Sequence, residues 1–467
     1  MPVSHGEGGG ALNPSQYNRY IPLEKGEYIL YNALSGAILM VDQDTKDSID
    51  IQEKRNRLPH EIVNHFKENG LIVESDEDEL LLIRNKYYMR CYDPLLLAFF
   101  VAPTTRCNLS CGYCWLKAPT GKKGVPPMSV PTLKNVLCFM KKRASDLNVT
   151  DLRTTFCGGE PLIAKTIVLH MLRDLSQWSE EHSVSLVSGF HTNCTLFDQP
   201  FIDELHRYYI NSVRTTVDGP QQVHDNYRYY RNGKGTYEDV ISNIGLLVDE
   251  GIKVIVQYNI NRHYGRAPEL FDDLIERGLQ NITVDCHRLY DPSSAVLEVK
   301  NAYGGLEEGV IIPQSEFTPP FKEVNEAKNY IYDWAFTKGF KLHPPKLGSL
   351  TPCNGALNYH YVIDPLGDVY KCSVSMLLKF MQVGHIHKDG NFEQYPLFYE
   401  WMDSDPTYIR ECQKCDLLPS CGGGCILARK LAQRPFLCEV SPFCGEEYIE
   451  RYLRQKYPEE FKSAKID

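Results

Sequence analysis

No apolar run in this 467-residue chain approaches the roughly 18 residues that a membrane span needs, so no membrane partner is expected. The first residues, MPVSHGEGGGALNPSQ, lack the apolar stretch of a secretory signal, and a cytoplasmic location follows as the expectation. Positive charge is in deficit, with 50 Lys and Arg against 60 Asp and Glu. Nucleic-acid affinity rests mainly on neutralising phosphate, so no nucleic-acid partner is expected either. Tandem repeats are absent, and so is cysteine from residues 1–90. Cysteine then becomes abundant, with eight in 91–286 and eight in 353–444. A chain of this length folds without covalent staples. Sixteen cysteines in a reducing compartment therefore point to metal or redox chemistry rather than disulfides.

The N-terminal region reads as a small α+β unit. YILYNALSGAILMV (28–41) gives two strands about a turn at Asn32 to Gly36, and LPHEIVNHFKENG (58–70) an amphipathic helix. Leu58, Ile62, Val63 and Phe66 share one face of that helix, and Gly70 sits at its C-terminal cap. LIVES then returns as a strand. From residue 95 short β-rich runs alternate with helical segments: LLLAFFVA, LRTTFC, SLVSGFHT, NSVRTTVD, VIVQYNI and ITVDCHRL. Six such βα units predict a parallel, barrel-like sheet with its chemistry at the C-terminal ends of the strands. Residues 300–350 are punctuated by Gly and Pro, with a helix across VNEAKNYIYDWAF. The last 23 residues form a charged tail with Tyr448 and Tyr452 on one helical face.

The first strand runs into TTRCNLSCGYCWLKAP (104–119), which sets Cys107, Cys111 and Cys114 at spacings of four and three. Four thiolates close a tetrahedral zinc site, whereas three leave a position open for a cofactor or substrate. A [4Fe–4S] cubane on three cysteines has one iron free for a chelate. Zinc with a distant fourth ligand is the alternative. The next strand exits through FCGGEPLIA, where Gly158 and Gly159 permit close approach of a ligand, Glu160 offers an acceptor for an ammonium group, and Pro161 fixes the following turn.

On these motifs the chain resembles the radical S-adenosylmethionine superfamily, with Tyr113 as the aromatic residue before the third cysteine. The resemblance implies a [4Fe–4S] cluster on Cys107, Cys111 and Cys114 that chelates S-adenosyl-L-methionine. Its reductive cleavage yields a 5′-deoxyadenosyl radical. Gly158, Gly159, Glu160 and Pro161 match the Gly-Gly-Glu-Pro motif that contacts the methionine amino group. VRTTVDGPQQVHDNYR (213–228) resembles a further cofactor-binding segment, with Thr216 in place of its serine and Arg228 matching its arginine. HTNCTL (191–196) resembles a Thr-Asn-Gly-Thr turn with Cys194 replacing glycine, a residue that tolerates positive φ poorly.

Cys353, Gly367 and Cys372, followed by ECQKCDLLPSCGGGC with Cys412, Cys415, Cys421 and Cys425 and then by Cys438 and Cys444, complete the inventory. By spacing alone these eight thiols suit zinc or iron–sulfur equally. Beside the first motif they resemble the SPASM extension, a twin auxiliary-cluster domain. The resemblance implies auxiliary cluster I on Cys353, Cys372, Cys425 and Cys438, and auxiliary cluster II on Cys412, Cys415, Cys421 and Cys444. That makes three [4Fe–4S] clusters in all. Without Cys438, cluster I has an open iron that could take a substrate thiolate.

The expected architecture is α/β, a partial (βα)6 TIM-like barrel with an N-terminal winged-helix-like α+β domain and a C-terminal auxiliary-cluster domain. Its boundaries fall at 1–92, 93–310 for the core, 311–346 for a bridge, 347–445 for the cluster domain and 446–467 for the tail. Sulfatase maturases place an Asp directly after the cysteine matched by Cys372. Here Ser373 stands there, a poor base, and Asp364 and Asp368 read as turn residues. The N-terminal unit resembles elements that capture leader peptides as an added strand. The expected function is maturation of a ribosomally made precursor peptide by a cross-link, thioether or altered residue, with flavodoxin or ferredoxin as electron donor. Sulfatase-maturase-like Cys or Ser oxidation and a non-catalytic zinc protein are the alternatives. Asp218 and Cys194 stand as candidate catalytic groups at the mouth, beside Cys286, His191 and His224. Cys91, Cys138, Cys157, Cys194 and Cys286 read as small buried residues.

Overall fold

The computed structural model describes residues 11–23, 26–116, 125–288, 317, 319, 323–345, 350, 352–431 and 446–462. At the N-terminus β1 (Leu12–Pro14) pairs antiparallel with β5 (Ile72–Glu74). Between them β2 (Asn18–Pro22), β3 (Glu27–Asn32) and β4 (Ile38–Asp42) form an antiparallel sheet in that order. The β3–β4 turn is held by buried Asn32, whose Oδ1 accepts from Leu34 N at 2.9 Å and Ser35 N at 2.8 Å. Helices α1 (Gln43–Asp50), α2 (Gln52–Arg55) and α3 (His60–Glu68) follow. Leu71 N to Phe66 O and Gly70 N to Lys67 O, both 2.8 Å, close α3 at the expected glycine. Ile62, expected on the apolar face, is 40% exposed, while Phe66 is buried.

Strand alternation gives this sheet two faces. Leu30 and Val41 pack with Ile49, Phe66, Leu71 and Ile72 in a small core. Ile29 and Tyr31 turn to the main core, where Tyr31 Oη lies 2.7 Å from Ser420 Oγ. The N-terminal unit is thus docked on the C-terminal cysteine region. Helix α4 (Glu79–Cys91) leads out of it, capped by Asp78 and buried along Ile83, Tyr87 and Cys91.

The six apolar runs become β6 (Ala98–Thr104), β7 (Asp151–Gly158), β8 (Ser185–His191), β9 (Ile210–Thr216), β10 (Val254–Ile260) and β11 (Thr283–Arg288), parallel and paired in chain order. Their helices are α5 (Val130–Asp146), α6 (Lys165–Glu181), α7 (Gln199–Leu205), α8 (Gln221–Tyr227), α9 (Tyr237–Asp249) and α10 (Ala267–Glu276). Phe99, Val101, Phe156, Phe190, Val213 and Val256 meet Met140, Met171, Leu175, Ile244 and Leu274 in one core. Each such side chain contributes about 1.5–3 kcal/mol through burial. Only α8, a short insertion after β9, went unmarked in the sequence.

The sheet is open and larger than six strands. Helix α11 (Val324–Thr337) leads into β12 (Lys341–Leu342), which extends the sheet parallel to β11. The stretch expected as a bridge therefore supplies a helix and an edge strand to the core. At the other side β13 (His360–Ile363) pairs parallel with β6, and β14 (Asp368–Tyr370), β15 (Gly384–Ile386) and β16 (Phe392–Gln394) continue antiparallel. Helix α12 (Glu446–Lys456) covers the β12 edge, Gln455 accepting from Leu342 N at 2.9 Å and donating to Phe340 O at 2.7 Å. No helix among the described residues is long and apolar enough to cross a membrane.

Candidate functional site

Loops after β6, β7, β8, β9 and β10 meet at the C-terminal ends of the strands, where parallel βα folds build sites. The three-cysteine loop is clamped by the segment after α8: Ser110 N donates to Tyr229 O at 2.7 Å and Gly112 N to Tyr227 O at 3.0 Å. Its thiols lie within electrostatic reach of one another. Burial pushes the Cys107 thiol up to about 12, and Cys111, Glu160 and Cys114 add to the effect. Leu109 N at 3.4 Å and Asn193 Nδ2 at 3.6 Å donate to Cys107 Sγ. Among the described residues no three His, Cys, Asp or Glu side chains form a group fit for a single metal ion. A cubane takes its thiolates on separate irons, so its ligands surround a volume rather than a point.

The two glycines of FCGGEP make room for the chain itself. A Cβ on Gly158, at φ +115°, would lie 2.4 Å from Thr104 O, and one on Gly159 would lie 2.3 Å from Thr105 O. Gly159 N and Glu160 N donate to Thr104 O and Arg106 O at 3.2 and 2.9 Å. The glycines thus seat the cysteine loop directly on the β7 exit. Pro161 opens the short helical turn that follows.

Glu160 is fully buried. It accepts from Leu162 N at 2.9 Å, Asn193 N at 2.7 Å and Thr192 Oγ1 at 2.8 Å. A carboxylate has about four lone-pair directions, so capacity for one further donor remains. Burial raises its pKa, against the pull of these hydrogen bonds and of Arg228. HTNCTL therefore holds its turn: Cys194 adopts φ +65°, its carbonyl tied by Asn243 Nδ2 at 2.7 Å. Its thiol is buried in the core beside Thr215 rather than presented at the mouth, and burial pushes its pKa up strongly. Cys286 is buried in the same core, under α11, where its N–H donates to Tyr332 Oη at 3.0 Å. Cys138 is exposed, contrary to expectation.

Opposite Glu160 stands a second polar group. Tyr113 Oη donates to Asp218 Oδ2 at 2.5 Å and accepts from Arg228 Nη1 at 3.0 Å and Asn259 Nδ2 at 3.2 Å. Asp218, Arg228 and Asn259 are buried, and Tyr113 is half-buried. Burial raises the Tyr113 and Asp218 pKa values, and Arg228 pulls both back. For Arg228 burial works against the charge, but Tyr113, Cys111 and Asp218 outweigh it. Its Nε has no hydrogen-bond partner among the described residues. Asp218 N donates to His224 Nδ1 at 3.4 Å, and His224 Nε2 lies 3.1 Å from Thr236 Oγ1. Burial holds this imidazole neutral. It is a positioning group for the loop. Thr216 ends β9 in register with Gln257. A buried acceptor facing a buried guanidinium suits the ammonium and carboxylate of an amino acid, so the residues present fit the methionine part of S-adenosylmethionine.

Sequence reasoning missed Asn193, Asn259 and a polar set farther along the sheet. Arg214 Nη1 donates to Asp285 Oδ2 at 2.5 Å, and His287 Nε2 lies 2.9 Å from the same oxygen. Burial would raise the Asp285 pKa, yet His287 and Arg214 hold it well below the carboxylate range. His191, beside them, ends β8 exposed, its ring edge-on to Phe100 at 5.5 Å. Strand alternation puts this set on the face that the helices leave uncovered.

In the C-terminal region Cys353, Cys372 and Cys425 come together. Burial and then the neighbouring Cys353 and Cys425 push Cys372 up to about 12. Cys412, Cys415 and Cys421 follow one another through helical turns, Cys415 N donating to Cys412 O at 3.1 Å. Gly422, Gly423 and Gly424 all have positive φ, at 61°, 87° and 72°, which is how three residues turn the chain from one group to the other. Cys438 and Cys444 lie outside the described residues. Lys371, unmarked in the sequence, is buried beside Cys372 and donates to Leu357 O and to His360 O. Burial lowers its pKa to about 7.

Asp364 and Asp368 are bound into the β13–β14 turn. Asp364 Oδ1 accepts from Leu366 N at 2.8 Å and Asp368 N at 3.0 Å, and Asp368 takes Lys379, Gln382 and His385. Burial, and then Asp368, pushes the Asp364 pKa from 3.8 to about 7. Folding therefore takes up a proton between those values, and the contribution of this group falls as pH rises toward 7. Asp364→Asn keeps the acceptor and loses the charge. Denaturation measured at pH 5.5 and 8 should show the variant gaining about 4 kcal/mol over the parent at the higher pH and about half of that at the lower.

Residues 101–278 match the Radical SAM superfamily. The cysteine-type anaerobic sulfatase-maturating enzyme of Clostridium novyi (strain NT) is 22% identical over 339 residues, 70% of this chain and 87% of that enzyme. The structure of native anSMEcpe with bound AdoMet and Cp18Cys peptide shares the fold at a TM-score of 0.53 and 16% identity, over 79% of this chain and 98% of its own. SuiB of Streptococcus suis bound to precursor peptide SuiA does so at 0.50 and 16% identity, over 92% of this chain and 99% of its own. The matched span runs from β6 past α10 and holds the cysteine loop, the Gly-Gly-Glu-Pro turn and the Tyr113–Asp218–Arg228 network. With that site on that fold, residues 101–278 form a domain of the Radical SAM superfamily.

Proposed function

We propose that this enzyme is a peptide maturase, removing a hydrogen atom from a ribosomally made precursor peptide to install a cross-link, thioether or altered residue. The observation that carries this reading is the N-terminal unit. The likeness to SuiB leaves about 37 of 467 residues uncovered, fewer than residues 11–92 contain, so it extends into that unit. Its sheet ends in β4, which pairs only with β3 among the described residues. A leader peptide adding alongside β4 would gain main-chain hydrogen bonds there.

Cys107, Cys111 and Cys114 would hold a [4Fe–4S] cluster, Glu160 the amino group of S-adenosylmethionine, and Arg228 and Thr216 its remaining polar groups. When bound, cluster and cofactor supply a 5′-deoxyadenosyl radical able to attack unactivated carbon. The chain supplies position and a dry site: Tyr113, Asp218 and Asn259 fix Arg228, and Thr192 and Asn193 fix Glu160. Cys353, Cys372 and Cys425 would carry one auxiliary cluster, and Cys412, Cys415 and Cys421, closed by Cys444, another. A cytoplasmic flavodoxin or ferredoxin would deliver the electron.

The test pairs this chain with the peptide of a short reading frame beside its gene and reads the product by mass spectrometry. A mass loss confined to one or two residues is expected. Met40, 41% exposed on β4, gives the second measurement. Met40→Lys puts a cation on the edge, a device that resists strand addition. It should weaken binding of the labelled leader about tenfold in fluorescence anisotropy while leaving 5′-deoxyadenosine release without peptide unchanged. The relatives favour a second reading, oxidation of a Cys or Ser in a target protein. Ser373 and the engaged Asp364 and Asp368 weigh against it, and turnover of a sulfatase-derived peptide would establish it.

A further inference from the structure

Cys91 stands apart from both cysteine groups in sequence, at the last position of α4, and reads there as a small core residue. Its surroundings say otherwise. It is 2% exposed, and its carbonyl accepts from Asn358 N at 2.7 Å. That nitrogen lies in the loop that begins at Cys353, where Ala356 N donates to Cys353 O at 2.7 Å. Tyr87, one turn earlier, lies on the same buried face. The Tyr87 hydroxyl reaches Ser404 O at 3.4 Å, a carbonyl shared with Arg429 Nη2 at 3.1 Å, and Arg429 N donates to Cys425 O at 3.2 Å. The Lys371 ammonium, next to Cys372 in the chain, acts electrostatically on both Cys91 and Cys353. The hydrogen bonds that tie down the loops of Cys353 and Cys425 therefore run through Cys91 and Tyr87 as well.

Other buried cysteines outside the groups differ. Burial alone sets the Cys157 thiol, and Cys286 faces Lys328 and Tyr332. We infer that Cys91 is the fourth thiolate ligand of the auxiliary cluster on Cys353, Cys372 and Cys425. The inference rests on reading those three as cluster ligands. It has two consequences. A cubane with four thiolates has no open iron, so this cluster carries electrons rather than binding a substrate thiol. And because α4 joins the N-terminal unit to β6, the cluster fastens that unit to the C-terminal region, covalently linking three parts of the chain.

The test uses the full chain carrying Cys107→Ala, Cys111→Ala and Cys114→Ala, which removes the open-iron cluster, reconstituted anaerobically. Two intact auxiliary cubanes give about eight irons per chain, four in each. A parent with far less iron overturns the underlying reading of the C-terminal cysteines. With the parent loaded, Cys91→Val should lower iron by about one to four atoms per chain. On mild oxidation it should show a [3Fe–4S] electron paramagnetic resonance signal that the parent lacks. Cys286→Val, an equally buried change, should match the parent. The inference is overturned if Cys91→Val retains parental iron with no such signal, or if Cys286→Val loses as much. Cys91→Ser is nearly isosteric and keeps the packing should valine prevent folding. It should change the spectrum of the reduced cluster, and a spectrum identical to the parent's overturns the inference.

Discussion

Cys111→Ala should abolish 5′-deoxyadenosine release and lower the iron content by about four atoms per chain, one cubane. Cys111 is the most buried of the three loop thiols. The bonds that hold the loop in place come from the backbones of Ser110 and Gly112 to Tyr229 and Tyr227, and from Gly159 and Glu160 to Thr104 and Arg106. None of these involves the Cys111 side chain, so the substitution removes a ligand and leaves the loop standing. The metal-free variant should accordingly melt within a few degrees of the metal-free parent. Cys138→Ala is the control, since that thiol is exposed and, among the described residues, donates to Asp389 O alone. It should keep both iron and turnover. Chromatographic quantitation of 5′-deoxyadenosine beside an iron assay decides the matter, and retained turnover in Cys111→Ala would remove the three-cysteine loop from the mechanism.

What the sequence reveals here depends on how local the cause is. β6 to β11 are legible because each is an apolar run bounded by a helix with its own period. β13 to β16 are only three or four residues long, and they exist because β13 finds β6 more than 250 residues upstream. No local pattern announces that pairing. The same holds within the site. Glycine at 158 and 159 signals a need for space, but only the fold identifies the cysteine loop as a neighbour that uses it. Thr192 and Asn193 read as a turn, and their role as donors to Glu160 comes from contact across two strands. Asn259 had a usable signal: an amide inside the apolar run VIVQYNI must find a partner when buried. Cys194 shows tertiary structure overriding residue preference, its positive φ held by the buried turn at a cost of about 1–3 kcal/mol. Cys91 had no signal at all, because its meaning lies in the loop it touches.

Glu160 should separate a structural from a binding role through two substitutions. In Glu160→Ala the N–H groups of Leu162 and Asn193 and the hydroxyl of Thr192 lose their shared acceptor inside a dry site. Each stranded donor costs about 1–3 kcal/mol, enough to lower the melting temperature and release the turn that carries Asn193. Glu160→Gln keeps the shape and one acceptor oxygen but turns its NH2 toward one of the two backbone N–H groups, so it should lower the melting temperature less than Glu160→Ala does. Its lost charge matters to the cofactor: a charge-assisted bond to an ammonium is worth about 1.5–3 kcal/mol, which corresponds to a 10–100-fold weaker affinity for S-adenosylmethionine. The pH dependence gives an independent reading. Burial raises the Glu160 pKa, so the parent's affinity should fall on the acid side as the carboxylate gains its proton, while that of Glu160→Gln should stay level. Equilibrium binding across that range would show both effects. Parental affinity in Glu160→Gln, with the same acid limb, would mean that the carboxylate only braces the turn and that the cofactor's amino group is held elsewhere.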